Sequence, residues 1–406
     1  MTGPLAGLRV VELAGRGPAP FGTMVLADLG ADVLTVSRPG DVAAGADESE
    51  FERLQRGHRE KDLVTRGKRS VAIDLKNPDG LAAALVLAER ADVFVEGNRP
   101  GVVERLGIGP DVCLARNPAL VYARVTGWGQ EGPLASTPGH DLNYVALAGP
   151  LAHLRRPGEA PMPPLNLLGD YGGGGMLLVT GVLAALFERF RSGRGQVIDT
   201  AMVDGVALLS TLFHGLRAEK LFSDDPGHHV LDLGSPHYNV YETADGRYVS
   251  IGAGEPQFYR ELLRRLPLAD DVRAELLAAQ GDPAAWAGNR SRLAEVFATK
   301  TLAEWSELLE GTDTCFAPVL TMGEAPTHPH NVARGTFVDV GGVVQPAAAP
   351  RFGRTPAGPP GAPVQAGGQT VAALAAWGFA PADIDGLIAA GAVVQDPRTA
   401  THQGES

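Results

Sequence analysis

Long uninterrupted apolar runs are missing from this chain, and no stretch is expected to span a bilayer. The start, Met1-Thr2-Gly3-Pro4-Leu5, has neither the basic nor the apolar region of a secretion signal. Cysteine is scarce: Cys113 and Cys315 are the only two in 406 residues, which excludes a disulfide framework and cannot by itself make a zinc site. His228-His229 lies in a polar loop and no His pair has ligand spacing on a helix, so no metal is expected. Positive charge is in deficit as well. The formal net charge of -12 argues against a nucleic-acid partner, while leaving room for a local basic cluster around a small phosphorylated ligand. These absences imply a protein of a reduced, cytoplasmic compartment with no membrane partner. At 44 % hydrophobic there is ample material for a core, and the length suits more than one domain.

The opening reads as strand, turn, helix, strand. Leu8 to Leu13 is β-branched and apolar, Gly15, Gly17, Pro18 and Pro20 make a turn, Phe21 to Leu29 is helical, and Asp32 to Val36 is the next strand. Further βα units follow: Val71 to Asp74 with Pro78 to Arg90, Val93 to Glu96 with Pro100 to Leu106, and Leu120 to Thr126. Such alternation predicts an α/β fold with a Rossmann-like, mainly parallel sheet. The loop Gly15-Arg16-Gly17-Pro18-Ala19-Pro20 has a proline where a dinucleotide fingerprint needs its third glycine, and strand two ends in Ser37-Arg38 with no carboxylate for a ribose. An arginine there suits phosphate better than NAD. Met176 to Phe190 and about Thr200 to Lys220 read as helices. The hairpin signal Ala244-Asp245-Gly246 then breaks the βα rhythm.

The expected organisation is a large α/β domain over 1–220, a smaller α+β domain over 225–325, a return segment with two terminal helices over 330–394 that packs on the large domain, and a disordered tail over 395–406.

Two short motifs carry the chemistry. Gly139-His140-Asp141 supplies an imidazole. Gly169-Asp170-Tyr171, followed by Gly172 to Gly175, supplies a carboxylate ahead of an apolar helix. A neutral His, a carboxylate and backbone donors at an oxyanion are the parts needed to move a proton at a carbon alpha to a carbonyl, so amides of an expected Gly172 to Gly175 turn, those of Gly172 and Gly173, are candidate oxyanion donors. On the residues alone Asp170 also fits a helix N-cap. Two roles fit Asp141: orienting His140, or bonding the next helix. The charged segment Asp47 to Arg69, ending in Arg66-Gly67-Lys68-Arg69, fits either a solvated surface or a phosphate contact.

Several segments together resemble the family III CoA-transferase superfamily and, within it, the alpha-methylacyl-CoA racemases. They are Pro4 to Leu13, Leu29-Gly30-Ala31-Asp32-Val33, Arg66 to Ser70, Asp74-Leu75-Lys76, Arg99-Pro100-Gly101, Gly127 to Pro133, Gly139-His140-Asp141 and Gly169-Asp170. The resemblance implies an interlocked homodimer, an acyl-CoA thioester substrate and no added cofactor, since CoA belongs to the substrate. It makes His140 and Asp170 the two bases and gives Glu255, in Gly254-Glu255-Pro256, the task of polarising His140. Family members that transfer CoA use the aspartate matching Asp170 as a nucleophile and commonly carry tyrosine at the place of His140, so histidine favours racemase chemistry. By the same resemblance Arg38 and Arg105 meet phosphate, Leu75 and Lys76 lie beside the adenine, and Gly139 and Tyr144 are further CoA-binding residues. The expected activity is racemisation of 2-methylacyl-CoA thioesters by 1,1-proton transfer through an enolate. The alternatives are a CoA-transferase acting through Asp170 and a noncatalytic acyl-CoA-binding protein.

Overall fold

The computed structural model describes residues 2–43 and 61–402. By internal contacts the chain divides into two compact units: one of Met1–Ala148, Leu165–Leu209 and His330–Ser406, the other of Gly149–Pro164 and Ser210–Pro329. The second unit thus begins earlier than residue 225 and takes in a separate piece, Gly149–Pro164.

In the first unit, β1 (Arg9–Leu13), β2 (Asp32–Ser37), β3 (Arg69–Ile73), β4 (Val93–Glu96), β5 (Val121–Thr126) and β6 (Val197–Ala201) form a parallel sheet in the order β3-β2-β1-β4-β5-β6. Consecutive residues on each strand serve opposite cores, as a period of two requires. Val11, Leu34, Phe94 and Tyr122 pack with Leu87, Leu374 and Trp377 on one face. Val10, Val33, Val93, Val95 and Val121 pack with Leu26, Leu178 and Val182 on the other. With both faces covered, the strands read as continuous apolar runs, which is why five of them were visible in the sequence. Chain order reverses between β1 and β4, so the loops at the carboxyl ends of these strands border the crevice where such sheets take ligands.

In the second unit, β7 (Tyr238–Glu242), β8 (Tyr248–Gly252) and β9 (Phe316–Pro318) form an antiparallel sheet, with Thr243 to Arg247 closing the expected hairpin. Helices Pro256–Arg265, Pro283–Phe297 and Leu302–Leu309 bury Tyr259, Leu293, Phe297 and Trp305 against it. Back in the first unit, β10 (Phe337–Val340) and β11 (Val343–Pro346) make a small hairpin. Residues 347–365 hold no helix or strand, as the density of Pro, Ala and Gly predicts. Finally β12 (Val393–Val394) pairs antiparallel with β3 and completes a seven-stranded sheet.

Four expectations need correction. Thr200 to Lys220 is not one helix: it opens with the end of β6, continues as helix Met202–Leu209, leaves helical geometry at Ser210 and resumes over Thr211–Ala218. Gly172 to Gly175 do not form a turn but lie within a π-helix, Leu167–Met176, that runs directly into α-helix Leu177–Ser192. That continuous stretch of 26 residues is long and apolar enough to cross a membrane by length and composition, although no such stretch was expected. Its Leu178, Val179, Val182 and Ala185 instead pack into the sheet core. The start of the tail is held in the fold: buried Asp396 pairs with Arg398 at 2.9 Å, and Gln395 donates to the carbonyl of Gly368. Residues 403–406 and 44–60, which include 47–60 of the charged segment, lie outside the described residues.

Candidate active site

Asp170 is placed by its neighbours before it is placed by its own bonds. The loop after β1 brings Gly17 so close that a Cβ there would sit 3.0 Å from an Asp170 carboxylate oxygen. Gly17 has φ +68° and ψ -119°, a conformation that L side chains rarely adopt. From Pro18 the chain enters helix Pro18–Asp28, whose Phe21 stacks on Tyr171 with centroids 4.2 Å apart. Gly175 and Gly22 face each other closely enough that a side chain on either would meet the opposite backbone. Gly173 packs as tightly against helix Met202–Leu209. The glycines after Asp170 therefore wedge a π-helical segment between two helices, and π-helical turns are frequent at functional sites.

This placement overturns the oxyanion expectation. The amide of Tyr171 already bonds the carbonyl of Asn166, five residues back. In a π-helix each following amide does likewise, so those of Gly172 and Gly173 are donors inside the helix and not a free turn.

Asp141 takes the second of its two roles. Its Oδ2 accepts from the amides of Gly169 at 2.6 Å and Asp170 at 2.7 Å, fixing the head of the π-helix. Its Oδ1 is buried with no hydrogen-bond partner among the described residues. Asp141 also opens helix Asp141–Ala148, and His140 stands just before that helix. The His140 amide donates to Asn143 Oδ1 at 3.0 Å, while its carbonyl accepts from the amide of Asn143 at 2.8 Å, so the corner is locked and the imidazole is left exposed.

The pKa of Asp170 is raised above the ordinary carboxylate value. Burial is the main cause, the Asp141 charge adds to it, and a weak 3.5 Å hydrogen bond from Asn166 together with nearby His140 works against it. A carboxylate with a raised pKa beside an imidazole is a pair suited to proton transfer. Tyr144 lies beneath the same corner, edge-on to Trp128 at 4.7 Å, with its phenol pushed up to about 12 by burial first and by Asp170 second. Gly127 and Gly139 leave the space its ring fills.

The basic residues separate into two groups. Arg66 is buried, pairs with Asp28 and donates to Gln345. Lys68 is buried on Glu12 at 2.8 Å and also donates to Thr23, and Arg69 faces Asp32 at 3.3 Å. The phosphate reading of this cluster is thereby excluded for Arg66 and Lys68, whose charges are spent inside the fold. Arg38, Lys76 and Arg105, by contrast, make no side-chain ion pair among the described residues. Together with Leu75 they line a cavity of about 910 Å³ at the carboxyl ends of β1, β2 and β3 and the loop after β4. Gly101, at φ +82°, lets Arg105 fold back over it, its guanidinium nitrogen 3.1 Å from where a Cβ would be.

A smaller cavity of about 270 Å³ is lined by Asp170, Asn166, Gly17, Glu12 and Lys68, and it shares Ala14, Arg16 and Ser37 with the larger one. Gly139 and Tyr144 lie outside both cavities, on the His140 side. Glu255 belongs to the second unit, exposed at the head of helix Pro256–Arg265 and with no side-chain capping bond. Arg16, Gly17 and Asn166 were missed as site residues. The usable signals were a cation flanked by two glycines and an Asn one helical turn before Asp170.

The model of CoA-transferase family III matches residues 5–370. The chain belongs to this family. It is 44 % identical over 382 residues to the alpha-methylacyl-CoA racemase of Mus musculus, covering 94 % of this chain and 95 % of that one. It is 43 % identical to the Homo sapiens racemase of the same name over 356 residues, 87 % and 88 % of the two chains. Among solved structures, a CaiB/BaiF family protein from Brucella suis superposes with a TM-score of 0.77 at 26 % identity, covering 93 % of this chain and all of that one.

Proposed function

We propose that this family III protein racemises 2-methylacyl-CoA thioesters by 1,1-proton transfer. The observation that carries the reading is the Asp170 carboxylate, half-buried with a raised pKa, within electrostatic reach of His140 and opening into a cavity that meets the cationic one. One base removes the alpha proton from one face, its electron pair moves into the thioester carbonyl to give an enolate, and the conjugate acid of the other base protonates the opposite face. Since the amides of Gly172 and Gly173 are helical, the donors available to the enolate oxygen are the amides of Asp141 and Leu142, the first two of helix Asp141–Ala148, at its positive end next to His140. The reacting groups belong to the chain and the substrate, so the reaction needs no added cofactor. Arg38 and Arg105 would hold the phosphates, and Leu75 and Lys76 would lie beside the adenine.

The active form on this reading is a homodimer in which Glu255 of a second copy polarises His140. The setting is cytoplasmic, in keeping with two free cysteines, Cys113 and Cys315. Similarity to two racemases at 43–44 % identity favours this chemistry over CoA transfer through an Asp170 anhydride, which membership of the family also fits. The test is incubation of one 2-methylacyl-CoA diastereomer in deuterated water, with and without an acceptor carboxylic acid. Alpha-deuteration with loss of configuration and no CoA transfer is expected. Transfer without exchange would reverse the choice.

A further inference from the structure

Arg16 stands at the junction of the two cavities. It lines both, with Ala14 and Ser37 the only other shared residues among those described. One cavity holds Arg38, Lys76 and Arg105, and the other ends on Asp170. Unlike Arg66, Lys68 and Arg69, Arg16 makes no ion pair or side-chain hydrogen bond among the described residues, and it is exposed. Its neighbour Gly17 abuts the Asp170 carboxylate, so the Arg16 backbone stands within one residue of the reacting end.

A CoA thioester with its phosphates on Arg38 and Arg105 and its alpha carbon at Asp170 has to pass this junction. The part of the molecule there is the pantetheine arm, which carries no charge and offers two amide carbonyls as acceptors. A guanidinium presents five fixed donors and no acceptor, which matches carbonyl oxygens and mismatches an aliphatic chain. We infer that Arg16 binds the amide carbonyls of the pantetheine arm and sets the depth to which the thioester reaches Asp170. This rests on the acyl-CoA reading of the cavity proposed above.

Direct binding of non-hydrolysable thioether analogues tests it without relying on turnover. Three ligands are used: the full CoA thioether, the same acyl group on pantetheine, and the same group on a simple alkyl thiol. Arg16→Ala should weaken the first two by about tenfold or more, as expected for hydrogen bonds to a charged group, and leave the third unchanged. Because Arg16 is exposed and unpaired, the variant should keep its fold, checked by an unchanged melting temperature. Arg38→Ala is the reference and should weaken the CoA ligand alone. A tenfold loss confined to the CoA ligand in Arg16→Ala would make Arg16 one more phosphate contact and overturn the inference, as would no loss for any ligand. If Arg38→Ala also left CoA binding intact, the cavity assignment would fail instead, and the two failures are thus distinguishable.

Discussion

Gly17 gives the most direct link between backbone geometry and the reacting carboxylate, and Gly17→Ala tests it. The substitution meets two separate obstacles. At φ +68° and ψ -119° an L residue is strained, which costs of the order of 1–3 kcal/mol. The new methyl would also lie 3.0 Å from Asp170 Oδ2 and 3.3 Å from its carboxyl carbon, so the carboxylate has to give by a few tenths of an ångström. Little resists that shift, because the Asn166 bond to Asp170 is long at 3.5 Å. Asp170 should therefore move rather than the loop break. A misplacement approaching an ångström at a reacting group can cost about 100-fold in rate, so a loss of roughly 10- to 100-fold in kcat is expected, with acyl-CoA affinity near normal. Unfolding stability should fall by about 1–3 kcal/mol. Gly15→Ala is the matched control: Gly15 has no positive φ, and the nearest atom to a new Cβ is 3.8 Å away, so neither quantity should change much. Racemisation is followed by solvent deuterium incorporation well below the melting temperature, and stability by thermal denaturation. Wild-type kcat in Gly17→Ala, or equal losses in Gly15→Ala and Gly17→Ala, would refute the claim that this contact places Asp170.

His140→Ala and Asp170→Asn should each lower racemisation by roughly 100- to 10,000-fold while leaving CoA binding largely intact; near-full activity at saturating substrate in either variant would remove that residue from its role. Proton removal by Asp170 requires its ionised form, and burial and the Asp141 charge raise its pKa, so that direction of turnover should fall on acidification at a pH above the ordinary carboxylate range. Asp141→Asn keeps an oxygen for the Gly169 and Asp170 amides but removes a negative charge, so this acid limb should move to lower pH; a limb that stays in place would mean that another group controls it. In a mixed dimer with His140→Ala in one chain and Glu255→Ala in the other, site sharing predicts one intact site and about half the activity, and near-complete loss would count against sharing.

What the sequence disclosed follows from the range of the forces involved. β1 to β5 were legible because each is a run of apolar, often β-branched residues buried on both sides. β6, Val-Ile-Asp-Thr-Ala, mixes in polar residues and begins exposed, so it looked like the lead-in to a helix. β12 has two residues and exists through its pairing with β3. The π-helix had no local signature. Four glycines suggested a flexible turn, and only the helices on either side, Pro18–Asp28 and Met202–Leu209, show that they are needed for close packing. His140 and Asp170 were readable because each sits in a short motif of its own, whereas the role of Asp141 depended on amides 28 and 29 residues further on.

The basic residues show the same limit more sharply. Arg66, Lys68 and Arg69 are adjacent in sequence and together look like an anion site, yet Arg66 answers Asp28, 38 residues earlier, and Lys68 answers Glu12, 56 residues earlier. Burial lowers the pKa of Lys68 and the Glu12 charge opposes that, so the pair is kept by mutual need and has no charge to offer a ligand. Arg16, Arg38, Lys76 and Arg105 are scattered over some ninety positions, and the β1/β4 reversal gathers them at one cavity, which Asp41 and Asp74 also line but where none of the four makes an ion pair among the described residues. On a chain of net charge -12 that arrangement matters for ligand capture. The repulsion of distant carboxylates is screened beyond roughly 8 Å at physiological salt, while cations in a cleft act at contact, so a polyphosphate ligand is drawn by the local field and not by the total. Binding of CoA to this protein should accordingly weaken as salt is raised, despite the acidic whole. A salt-independent affinity would mean that Arg38 and Arg105 do not meet the phosphates.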